Sequence, residues 1–76
     1  MNSKEMLRAI LLKLVDLSNA DLERFSKDMT KMGLPEEQEK WLLHIIEELR
    51  SIDSRPGRKG YIDGIILMNK LGPVSV

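Results

Sequence analysis

The chain has 76 residues, no cysteine, one histidine, and twelve basic residues balanced by twelve acidic ones. This length allows a single domain over residues 1–76, and the composition excludes disulfide cross-links, cysteine nucleophiles and a metal site built from several histidines. A net charge of zero gives no overall attraction for nucleic acid or anionic lipid, and no apolar run approaches the roughly 18 residues of a membrane span. We therefore expect a cytoplasmic protein that does not enter a membrane.

Two helices are predicted in the first half of the chain, over residues 4–16 and 19–32. Ser3 and Ser18 stand immediately before or near their starts, where a serine hydroxyl can accept a hydrogen bond from a free backbone N–H. Apolar residues recur at helical spacing in both segments. The stripes consist of Leu7, Ile10, Leu11 and Leu14 in the first helix, and of Leu22, Phe25, Met29 and Met32 in the second.

A helix–turn–helix hinge at residues 32–35 leads into a third helix, predicted over residues 35–52. Gly33 follows the last apolar position of the second helix, where a left-handed residue ends many helices. Pro35 suits the first helical position, because its missing N–H would have no partner there. The buried stripe of the third helix is predicted to contain Leu42, Ile45, Ile46, Leu49 and Ile52, with Trp41 beside it.

The end of the chain is predicted to be a loop followed by a fourth helix. Pro56-Gly57 is a turn signal, which places a loop over residues 51–60. The fourth helix is predicted over residues 61–71, although Gly64 costs a helix about 1 kcal/mol relative to alanine. The alternative for this isoleucine-rich segment is an edge strand. The fold class is therefore all-α, a small bundle of about four short helices.

The hinge also has the spacing of a DNA-binding helix–turn–helix motif. Its second helix would present Glu36, Glu37 and Glu39 to the phosphates and be repelled by them, so we interpret the hinge as an ordinary helical hairpin. The basic loop 50–60 is the better candidate for phosphate binding; the alternative is a solvated surface loop. Its candidate phosphate-binding residues are Arg50, Arg55, Arg58 and Lys59.

Catalytic and cofactor-binding motifs are not recognisable in this sequence. His44 could act as a general base, but a chain of this length rarely supplies the pocket and the positioned partner that catalysis needs. We interpret His44 as a residue at the rim of the third helix. We expect no enzymatic activity, no cofactor and no metal.

Apolar residues are more numerous than a small monomer can bury. Leu, Ile, Val, Met, Phe, Trp and Tyr together number 30 of the 76 residues. Because a chain this short buries a modest fraction of its surface, some of these side chains are expected to form an association surface. The sequence thus predicts a homodimer, a surface for another protein, or both. The candidate protein-interaction residues are Met32, Leu34, Trp41, Leu43 and Met68.

The segment 29–43, which reads MTKMGLPEEQEKWLL, resembles the helix–turn–helix hook of small bacterial antirepressors of the SinI type. The shared features are a turn with a glycine and a hydrophobic residue, an acidic helix start and an aromatic-Leu-Leu core. The resemblance does not extend to the C-terminal third. It implies a regulator that binds another protein. The function predicted here is accordingly a small regulatory interaction module of inhibitor, antirepressor or adaptor type, with nucleic-acid binding through the basic loop as the alternative.

Overall fold

The computed structural model describes residues 3–72 and contains four α-helices in that part of the chain. They are α1 (Ser3–Leu14), α2 (Asn19–Met29), α3 (Glu36–Ser51) and α4 (Arg55–Met68). The all-α prediction is confirmed, and the segment for which a strand was the alternative is helical. The helices α1 to α3 end one to three residues earlier than the sequence pattern predicted. None of the described helices is long and apolar enough to cross a membrane.

The start of α4 is the largest departure from the sequence prediction, since the helix begins at Arg55 and not at residue 61. Ser54 is the N-cap, and its Oγ accepts a hydrogen bond from the backbone N–H of Gly57 at 3.1 Å. Pro56 lies in the first helical turn, where its missing N–H costs no hydrogen bond. Pro56-Gly57 is therefore part of a helix start, and the predicted loop 51–60 is reduced to a connection over residues 52–54.

The hinge between α2 and α3 is longer than predicted, because α2 ends at Met29 and α3 begins at Glu36. Two tight backbone hydrogen bonds, from Lys31 to Asp28 and from Met32 to Met29, continue the chain as a turn. Gly33 has a φ of 70°, which confirms the left-handed residue, but it lies beyond this turn and not directly after the helix. Pro35 is the N-cap residue of α3, whereas the sequence predicted it at the first helical position.

Packing brings α2 against α3 and α1 against α4. The buried residues of all four helices form one cluster. Connections of three to six residues between consecutive helices make the chain run back and forth between two ends of the bundle. One end carries the α1–α2 and α3–α4 connections, and the other carries the hinge together with the start of α1 and the end of α4. The core residues are Leu11, Leu14, Val15, Leu22, Met29, Leu42, Ile45, Ile46, Leu49, Ile62, Ile66 and Leu71.

Candidate functional site

An open apolar groove lies at the hinge end of the bundle and has a volume of about 480 Å³. Leu7 of α1, Trp41 of α3 and Leu71 after α4 provide its apolar surface. Lys4 and Glu37 add one charge of each sign to its walls. Trp41 and Leu7 are partly buried and pack against the core, so each still presents surface to the groove. We call this site the Trp41 groove.

One face of α4 carries apolar side chains at helical spacing. Tyr61, Ile65 and Met68 stand four and three residues apart, which places them in one row along the helix. Met68 is 82% exposed, and the residue after it, Asn69, lines the groove. Leu67 is also exposed, at 62%, but one helical position turns its side chain about 100° away from that row.

Tyr61 lies at the opposite end of this row from Met68. Burial raises the pKa of the Tyr61 phenol, and the nearby negative charge of Glu48 on α3 raises it further. Tyr61 is partly buried and packs against the core.

The five residues predicted to bind a protein do not form one surface. Trp41 lines the groove, whereas Met68 is exposed at the end of α4 and is not one of the residues that line it. Leu43 is two residues from Trp41, which turns it to the other side of α3, where it lines a smaller pocket of about 230 Å³ with Ser26 of α2. Met32, half exposed, and Leu34, partly buried, belong to the hinge.

Arg58, predicted to bind phosphate, contacts the protein's own backbone. Its Nε donates to the carbonyl oxygen of Ile52 at 3.0 Å, and its Nη1 donates to the carbonyl oxygen of Leu17 at 2.9 Å. Its Nη2 donates to Oδ1 of Asn19 at 2.6 Å. The guanidinium therefore joins the α1–α2 connection to the α3–α4 connection, and all three of its nitrogen atoms donate a hydrogen bond within the protein.

Two other cations of the predicted phosphate site are in ion pairs. Arg55 donates to Asp16 at 2.6 Å, and this hydrogen bond raises the pKa of Arg55. Lys59 contacts both carboxylate oxygens of Asp63, one helical turn later, at 2.6 and 2.7 Å. Arg50 is exposed on α3 and lines the smaller pocket. The four residues thus occupy α3 and the first turns of α4, and phosphate binding by them stays a prediction.

His44 is exposed on α3, at the rim where the sequence placed it. In residues 3–72 no group of three or more histidine and acidic side chains is arranged to hold a metal ion. No buried side-chain nitrogen or oxygen in the described part of the chain lacks a hydrogen-bond partner.

Comparison with known protein families, with curated proteins and with solved structures finds no match to this chain. The likeness of segment 29–43 to SinI-type antirepressors therefore stays a resemblance between short segments.

Sequence reasoning missed most of the residues that shape the Trp41 groove. Leu7 belongs to the apolar stripe of α1, and Leu71 follows α4, so each reads as an ordinary core residue in the sequence. Glu37 reads as a favourable charge at the start of α3. These residues are distant in sequence, and no local pattern shows that they share a groove with Trp41.

Proposed function

We propose that this chain is a non-enzymatic protein-interaction module, a small regulator of inhibitor, antirepressor or adaptor type that acts by occupying a surface of another protein. The observation that supports this proposal is the open apolar Trp41 groove, together with the exposed methionine Met68 at the end of α4. Tryptophan is enriched among the residues that dominate binding energy, and methionine adapts its shape to different partners.

The polar surroundings of the groove suit a protein ligand. Lys4 and Glu37 lie on walls that come from different helices, so the rim offers one cation and one anion around an apolar floor. An apolar centre with a charged rim is the usual organisation of a protein interface, where the charges fix orientation more than they add affinity.

Affinity capture from the host's lysate, with three baits, tests this function. The wild-type chain is compared with Met68→Glu, which places a charge on an apolar side chain that is 82% exposed and directly precedes Asn69 of the groove, and with Leu67→Glu, which places the same charge one residue earlier in the chain. We expect the wild type and Leu67→Glu to capture the same protein, and we expect Met68→Glu to fail to capture it. Adding that purified protein should shift the fluorescence of Trp41, the single tryptophan. Capture that is equal for all three baits would contradict the proposal.

A further inference from the structure

The four helices form two pairs, and both connections that join these pairs lie at the same end of the bundle. Helix α1 packs against α4, and α2 packs against α3. The chain passes from one pair to the other at the α1–α2 connection and again at the α3–α4 connection. The hinge at the opposite end joins α2 to α3, so it stays within one pair. Among the described helices, no connection therefore joins the two pairs at the hinge end.

Arg58 strengthens the end at which the pairs are already joined. It belongs to α4, and its guanidinium donates hydrogen bonds to Asn19 of α2 and to the carbonyl oxygen of Ile52, the C-cap residue of α3. Each of these hydrogen bonds links the α1–α4 pair to the α2–α3 pair. The two chain connections and this arginine thus hold the pairs together at one end, which we call the joined end.

The Trp41 groove is the seam between the two pairs at the opposite end. Leu7 and Leu71 line it from the α1–α4 side, and Trp41 lines it from α3. Leu7 and Trp41 are partly buried, whereas the fully buried residues of α1 are Leu11 and Leu14. Burial along α1 therefore increases from the groove toward the joined end. Separating the pairs at the groove consequently exposes less apolar area than separating them at the joined end.

We infer that the two helix pairs open at the Trp41 groove about the end held by Arg58. The opening widens the groove and uncovers the neighbouring part of the core, while the joined end keeps its packing. A hinge motion needs a few connecting residues that absorb the backbone rotation, and the two short connections at the joined end supply them. This inference goes beyond the proposed function and does not depend on it, because the opening needs no partner.

Thiol labelling of two buried positions on one face of α3 provides the first test. Leu42 lies near the groove and Leu49 two helical turns later, and both side chains are buried. The chain has no cysteine, so Leu42→Cys and Leu49→Cys each carry a single thiol. We expect the aromatic disulfide reagent DTNB to react about 100-fold faster with Leu42→Cys under native conditions, because the opening alone uncovers this site.

Low concentrations of urea distinguish the opening from global unfolding. The labelling rate of Leu49→Cys should follow the global unfolding equilibrium, whereas that of Leu42→Cys should rise less steeply with urea, because the opening exposes less surface. Both substitutions remove the same atoms, and urea denaturation of each variant allows the rates to be compared at equal global stability. Equal rates with equal urea slopes at the two positions would overturn the inference, as would faster labelling at Leu49→Cys.

Distance measurements that leave the buried core intact provide the second test. Spin labels on Lys4→Cys and Gln38→Cys stand on opposite walls of the groove, on α1 and α3. Labels on Lys13→Cys and Arg50→Cys join the same two helices near the joined end, and both of these positions are exposed. We expect the distance distribution from double electron–electron resonance to be about twice as wide for the groove pair as for the control pair. Distributions of equal width would contradict the opening, whatever the core cysteine variants show.

Discussion

Arg58 of α4 donates a hydrogen bond from Nη1 to the carbonyl oxygen of Leu17, which lies 41 positions earlier in the chain, at 2.9 Å. The same guanidinium reaches the carbonyl oxygen of Ile52. Two connections that a sequence reader would treat as separate loops are thus held together by one side chain. This relationship assigns a structural role to a residue that the sequence offered as a phosphate ligand.

Removing this guanidinium should destabilise the fold. Arg58→Ala leaves two backbone carbonyl oxygens without their charged donor, and we expect the free energy of unfolding to fall by about 2–3 kcal/mol. Urea denaturation measures the loss. Arg50→Ala is the control, because Arg50 is exposed on α3 and should change stability by less than about 0.5 kcal/mol. Equal losses in the two variants would show that the Arg58 hydrogen bonds do not stabilise the fold.

The stability of the folded chain should fall in alkaline solution because the Tyr61 phenol ionises there. Burial and the charge of Glu48 raise its pKa in the folded state, so the folded chain favours the neutral phenol. The stability that the neutral phenol contributes is complete below the ordinary tyrosine pKa of about 10. It is lost as pH rises through the higher folded pKa, because the unfolded chain releases its proton first.

The phenolate absorbance of this single tyrosine measures the shift directly. The phenol should titrate at higher pH in the native protein than in concentrated urea. Glu48→Gln should lower the native pKa only in part, because burial is the larger cause. A native phenol that titrates at or below the pH found in urea would contradict the packing described for Tyr61.

Replacing Gly33 or Gly60 with alanine should change the stability of the protein in opposite directions. Gly33 has a φ of 70°, so Gly33→Ala forces a side chain into the left-handed region and should cost about 1 kcal/mol of stability. Gly60 lies inside α4, and a Cβ added there meets nothing within 4 Å. Gly60→Ala should therefore stabilise the protein by about 0.5–1 kcal/mol. Thermal unfolding followed by circular dichroism compares the two, and a gain at Gly33 would contradict the hinge conformation.

Ser54 should contribute measurably to the stability of the fold, although its side chain is exposed. Its Oγ caps α4 through the backbone N–H of Gly57, and Ser54→Ala should lower the free energy of unfolding by about 1 kcal/mol. Ser51 provides a matched control, since its hydroxyl donates to the carbonyl oxygen of Glu48 inside α3 and caps no free N–H. Chemical denaturation of both alanine variants should show the larger loss at Ser54. The reverse order would argue that α4 does not begin at residue 55.

Periodicity and composition determined the helical class of this protein. The apolar stripes of α1, α2 and α3 recur every three or four residues, and this spacing alone places one face of each helix in the core. Ser18 also caps α2 as its sequence position predicted, with its Oγ accepting from the backbone N–H of Asp21. Such signals are local, because the residues that define them lie within one or two helical turns of each other.

The start of α4 and the Trp41 groove were decided by tertiary structure. Pro56-Gly57 is compatible with either a turn or a helix start, and Arg58 bridges both connections in the conformation in which Ser54 begins a helix. The groove combines Leu7, Trp41 and Leu71, which share no local pattern. A sequence therefore shows which faces are apolar, whereas the packing of one helix against another decides which of these faces stay exposed to solvent.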